Sequence, residues 1–278
     1  MDKFFWKKLQ ENNYAIPADH TPTSLTAELF VYLGSSDPEL RDEIAYQTFA
    51  NFLKRGYLSD EEIAIYITSL LGNLETGIGE RDTDSVFLRS FSVLFLAEII
   101  HNDNKAPSLK KPILKTILEK ALWYMEAERD PRGYVNEKGW AHALAHTADL
   151  FLVLAKNPNT GSREHNRMLN AISKKLVGST DWVYIHGEDD RLSRAALEIL
   201  RRDTLSSAFI KKWLKSFLKP DSGSWNGAWT NEETARAYFN VRNFLRSLYL
   251  QVTTEEELPQ KEELEAMVLE SIQTLRPF

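Results

Sequence analysis

Residues 59–74, S-D-E-E-I-A-I-Y-I-T-S-L-L-G-N-L, decide the fold class. Ile63, Ile67, Leu70, Leu71 and Leu74 recur at i, i+4, i+7, i+8 and i+11, which places them on one face of a helix. Ser59 followed by Asp60, Glu61 and Glu62 is a helix start: the hydroxyl caps free N–H groups and the acids meet the positive end of the helix dipole. The same period runs through Ala45, Phe49, Phe52 and Leu53 upstream, and through Ile113, Ile117, Leu118, Leu122 and Met125 downstream. No sustained period-two alternation accompanies it, so an all-α protein is predicted.

Working outward, the punctuation divides the chain into about eleven or twelve helices. Their expected spans are 2–11, 23–33, 38–55, 60–74, 83–101, 108–127, 139–156, 162–177, 188–203, 205–218, 231–251 and 260–275. Ser36-Asp37-Pro38 opens one of them, and Gly56 after Lys54-Arg55 closes it. Short connections between antiparallel helices predict an irregular α/α superhelix of stacked HEAT- or armadillo-like pairs, with an α/α toroid as the competing architecture. No fixed-period repeat is present. The turn-rich segment Asn157–Ser162 is the weakest point along the chain, and residues 1–278 read as one all-helical domain.

Composition excludes several function classes. Hydrophobic residues at 43% and charged residues at 27% are ordinary globular values, which argues against disorder. With no cysteine, disulfides, thiolate nucleophiles, cysteine zinc sites and iron–sulfur clusters are excluded, and a cytoplasmic location is expected. A net charge of −6 and basic clusters no longer than two residues argue against nucleic-acid partners. The start M-D-K-F-F-W-K-K-L-Q is broken by charge as a secretory signal and reads as a docked first helix. The most apolar stretch, Val86–Ile100, carries Arg89 and Glu98, and no membrane span is expected. Because that helix is apolar on nearly every side, it must be buried, and Arg89 then needs an anionic partner from another helix.

The candidate site lies in residues 126–154. A charged loop containing Asp130, Arg132 and Gly133 leads to a helix read as starting at Gly139. On a wheel of about 100° per residue, His142, His146 and Asp149 share one face, opposite Trp140, Leu144, Ala148, Phe151 and Ala155. No Lys, Arg or Glu stands between Trp140 and Ala155, so this polar face looks at something other than bulk water. Three readings fit: a structural polar cluster in which Asp149 pairs with a cation such as Arg132, a ligand-binding cleft, or a divalent-metal site with His142, His146 and Asp149 as ligands. The i, i+4 histidines lack the neighbouring glutamate of a metalloprotease helix, since Ala143 follows His142. Two further clusters are His186-Gly187-Glu188-Asp189-Asp190-Arg191, read as helix capping or an oxygen-rich metal site, and the loop 222–229 with Trp225 and Trp229, read as stapled to the core. No phosphate-binding loop, dinucleotide fingerprint or serine elbow is present.

These residues also carry a resemblance. S-D-P-E-L-R-D at 36–42, D-S-V-F-L-R-S-F-S at 84–92, E-R-D-P-R-G-Y-V-N-E-K-G-W-A-H-A-L-A-H-T-A-D-L at 128–150 and E-D-D-R-L at 188–192 resemble the DUF2785 family over roughly residues 20–250. The resemblance implies a soluble, helical bacterial protein of Gram-positive type and carries no substrate, cofactor or catalytic residue with it. Together with the wheel, it directs attention to Arg41, Asp42, Arg89, Asp130, Arg132, His142, His146 and Asp149. The function expected is a binding or scaffold protein with a peptide, protein or small-molecule partner and no cofactor. The alternative is a metal-dependent hydrolase or lyase.

Overall fold

The computed structural model describes residues 1–275, most of which lie in helices, with one two-strand hairpin among them. They pack as two compact units, one over Met1–Leu150 and one from Phe151 onward, and the division falls inside a helix.

The first unit contains α1 (Lys3–Glu11), α2 (Pro22–Tyr32), a π-helix (Glu39–Tyr46) running into α3 (Gln47–Lys54), α4 (Asp60–Asn73), α5 (Ser85–Asp103), α6 (Lys111–Ala127), β1 (Tyr134–Val135), β2 (Gly139–Trp140) and the start of α7 (Ala143–Lys156). The caps read from sequence are in place. Ser59 Oγ accepts the Glu62 N–H while Glu62 reaches back to the Ser59 N–H at 2.7 Å, and Asp37 Oδ1 accepts the Glu39 N–H at 3.0 Å. Gly56 takes a left-handed backbone, φ 66°, just past α3. The segment expected as one helix over 38–55 changes type midway, beginning with wide π turns before tightening to α geometry.

α5 is the centre of this unit and packs against α3 and α4. Phe95 on α5 stacks on Phe49 of α3 with ring centroids 4.5 Å apart, and Phe30 of α2 meets Phe95 edge-on. Phe49 and Phe95, both fully buried, each contribute roughly 1.5–3 kcal/mol by leaving water. α5 is long and apolar enough to cross a membrane by length and composition, which corrects the expectation that no segment reaches that limit; its apolar faces are buried within the unit.

The second unit holds the end of α7, α8 (Ser162–Val177), α9 (Glu188–Arg201), α10 (Ser207–Ser216), a 3₁₀ turn (Trp225–Trp229), α11 (Glu232–Thr254) and α12 (Lys261–Thr274). α11 packs along α9 and α12, and Trp213, Phe217 and Phe244 form its aromatic core. Of the two tryptophans expected to staple loop 222–229, Trp225 does so, donating its indole N–H to the Phe217 carbonyl at 2.9 Å. Trp229 stays 54% exposed, so the expectation is corrected for that ring.

Candidate functional site

The loop 128–142 is held by buried ion pairs. Arg89, fully buried on α5, takes Glu128 in a two-point grip, Nε to Oε2 at 2.6 Å and Nη2 to Oε1 at 3.1 Å. Its Nη1 donates to the carbonyls of Thr76 and Gly77 and to Ser85 Oγ. Glu128 also accepts the Tyr124 hydroxyl and the N–H groups of Arg129 and Asp130. Burial and the Glu128 charge hold the Tyr124 phenol well above its ordinary range, so it remains a donor. The expected partner for Arg89 is therefore present, at the C-terminal cap of α6.

Asp130 and Arg132 form the next tie. Arg132 donates Nε at 2.9 Å and Nη2 at 2.7 Å to the Asp130 carboxylate, which also accepts the Asp82 N–H. Arg132 Nη2 further reaches the Thr83 carbonyl. Arg132 thus pairs with Asp130, where the sequence reading had offered it to Asp149. Arg41, fully buried on the π-helix, lies over the rings of Phe87 and Phe91 with 4.1 and 4.7 Å to the centroids. It donates to the carbonyls of Ser35 and Lys138 and to Asp42 at 2.9 Å. Gly139 allows this approach. Its φ is 74°, and a Cβ there would stand 2.7 Å from Pro38 Cβ and 3.2 Å from Arg41 Nη2.

Asp42 is the titrating member of the group. Burial pushes its carboxyl from 3.8 up to about 6 despite the neighbouring Arg41. A carboxyl whose folded value is raised makes the folded state bind more protons than the unfolded chain, so its contribution to stability is present below pH 4 and is lost as pH rises through about 6. Asp42→Asn is expected to flatten the pH dependence of the urea midpoint between these limits; an unchanged slope would show that Asp42 does not titrate there.

The hairpin corrects the helical wheel. Gly139 and Trp140 pair with Val135 and Tyr134 as antiparallel strands, and α7 begins only at Ala143. His142 precedes the helix with a left-handed backbone, φ 50°, its N–H donating to the Arg132 carbonyl and its own carbonyl accepting the His146 N–H. For a non-glycine residue that conformation costs about 1–2 kcal/mol. Trp140 is consequently not opposite the histidines: its ring stacks on His142, centroids 4.3 Å apart and planes 20° off parallel.

His142 and His146 are 7% and 5% exposed, so both avoid bulk solvent, as the missing charges implied. His146 meets Ser90 Oγ at 2.8 Å and the Ser90 carbonyl at 3.3 Å through Nδ1. Ser90 Oγ also donates to the Ala141 carbonyl, so one serine ties the residue before His142 to the His146 ring. Among the described residues no group of three or more His, Asp or Glu side chains that could hold a metal ion is found. In that cluster Glu188 is buried, accepts the His186 N–H, and is held above its ordinary range by burial.

The structure instead assembles a ladder of rings. Tyr134 lies edge-on to Trp140 at 5.0 Å, Trp140 stacks on His142, His142 meets His146 edge-on at 5.9 Å, and His146 meets Phe91 at 5.1 Å. Exposure falls along it from 51% at Tyr134 and 39% at Trp140 to 1% at Phe91. Sequence reasoning missed Ser90, Glu128 and the Tyr134–Trp140 pair. The signals were present in Ser90 on an apolar helix and in the glycines that bracket a short hairpin.

The family model DUF2785, described as a protein of unknown function, matches residues 74–250, about two thirds of the chain. No curated protein and no solved structure matches. The match spans the Arg89–Glu128 and Asp130–Arg132 pairs, the hairpin and the ladder but not Arg41 and Asp42, and the chain belongs to this family.

Proposed function

We propose that this DUF2785 protein is a binding protein that recognises a peptide or protein partner through the Tyr134–Trp140 edge of its hairpin, with His142 behind it. One observation carries the reading: two large aromatic rings are kept 51% and 39% exposed on a segment that is otherwise tied down by the Arg41 hydrogen bond to the Lys138 carbonyl and by the Arg132–Asp130 ion pair. A two-residue-per-strand hairpin has no independent stability, so the ties from Arg41 and Arg132 are what hold the rings in position. Exposed aromatics on a preorganised support lose little entropy on binding and are the residue types that dominate recognition surfaces. The flat stacking of Trp140 on His142 supports the same reading, because it fixes the orientation of a partly exposed indole.

The test is a photo-crosslinking aromatic amino acid at position 134 in the producing cell, with the exposed Lys54 position as control. A discrete adduct specific to position 134 is expected, and Trp140→Ala is expected to remove it through a loss of about 2 kcal/mol or more in binding. An adduct pattern no different from that at position 54, or one indifferent to Trp140→Ala, would refute the proposal.

A further inference from the structure

The second unit contains a cleft of about 710 Å³, within the span of roughly 300–1,000 Å³ usual for small-molecule sites. One stripe of α9, the C-terminal end of α11 and the last turn of α7 line it. The stripe follows from helical spacing: Arg191, Arg194 and Arg201 recur at i, i+3 and i+10, and Lys156 from α7 joins them. A chain with net charge −6 thus gathers four cations at one concavity.

The carboxylates of the same wall are already engaged. Glu198 accepts Arg201 at 2.6 Å and faces Lys156 at 3.9 Å. Glu255, capping α11, takes the other side of Arg201, and Asp190 takes the Ser247 hydroxyl. The Lys156 carbonyl is fixed by Arg202 at 3.0 Å, which ties the end of α7 to the end of α9. Arg194, exposed in the stripe between these pairs, makes no ion pair among the described residues. Leu152 and Leu197 supply apolar surface alongside it.

From this arrangement we infer that the cleft binds the oxyanion group, phosphate or carboxylate, of a small organic molecule, with Arg194 as its principal contact. A guanidinium presents paired N–H donors that match two oxygens of such a group, and the Glu198–Arg201–Glu255 chain keeps the neighbouring wall in place. The apolar surface takes the carbon part of the ligand.

Calorimetric titration of the full chain with pyrophosphate and with citrate, each against sodium chloride at matched ionic strength, tests this. Saturable binding of pyrophosphate identifies a phosphate ligand, and of citrate a carboxylate ligand. Arg194→Ala is expected to weaken the binding at least tenfold, because a charge-assisted hydrogen bond amounts to one such factor or more. Lys212→Ala, an exposed cation on α10, is expected to leave it unchanged. No heat beyond the chloride control for either anion, or equal binding by the Arg194→Ala variant, would overturn the inference.

Discussion

Arg89→Ala is expected to destabilise the protein by about 3–5 kcal/mol, the largest effect of any single substitution considered. The side chain is fully buried, and its loss strands the Glu128 carboxylate in a site from which water is excluded. Two backbone carbonyls, of Thr76 and Gly77, lose their donor at the same time. Glu128→Ala is expected to cost a similar amount for the mirror-image reason, since it strands a buried guanidinium. The double variant is expected to cost well under the sum of the two, because neither charge is then left alone. Urea titrations of the four proteins give this coupling directly. A double variant that loses the full sum would mean that the two residues act independently and that the two-point grip is not what stabilises the loop.

Gly139→Ala is expected to be the most damaging change outside that ion pair. A Cβ at φ 74° costs about 1–2 kcal/mol for the left-handed backbone. The contact with Pro38 Cβ at 2.7 Å cannot relax cheaply, because a proline ring is rigid; overpacking of that kind adds about 1–3 kcal/mol. The displacement would also fall on Arg41, which reaches the Lys138 carbonyl beside this glycine. Thermal melting measures the loss, and near-ultraviolet circular dichroism reports whether the stacking of Trp140 on His142 survives. A melting temperature unchanged from the parent would show that the junction is looser than described.

Most of the architecture was legible because it rests on local rules. The caps at Ser59 and Asp37, the left-handed Gly56 and the apolar periods of α4 and α6 each state their structure within a few residues. The burial of α5 was also legible, since Arg89 and Glu98 are the only charged side chains between Val86 and Ile100. What escaped was set by partners distant in sequence. The π-helix over Glu39–Tyr46 leaves no local composition signal; its geometry goes with Arg41 reaching Lys138, ninety-seven residues away. The helix start at Ala143 was misplaced because Trp140 and His142 fit a helical wheel, and only pairing with Tyr134–Val135 removes them from it. Glu128 gave no sign of being Arg89's partner, because a glutamate at a helix end is ordinarily a solvated one.

Insertions and deletions cannot be absorbed silently between Asp37 and Gln47. Removing one residue there would let the wide turns relax to ordinary α geometry while rotating the side chains beyond the cut by about 100° relative to α3. Arg41 would leave the gap between Phe87 and Phe91, and the hairpin would lose its anchor though no residue of the hairpin had changed. Chain length over this stretch is therefore constrained by geometry in much the way that residue identity is constrained inside a core.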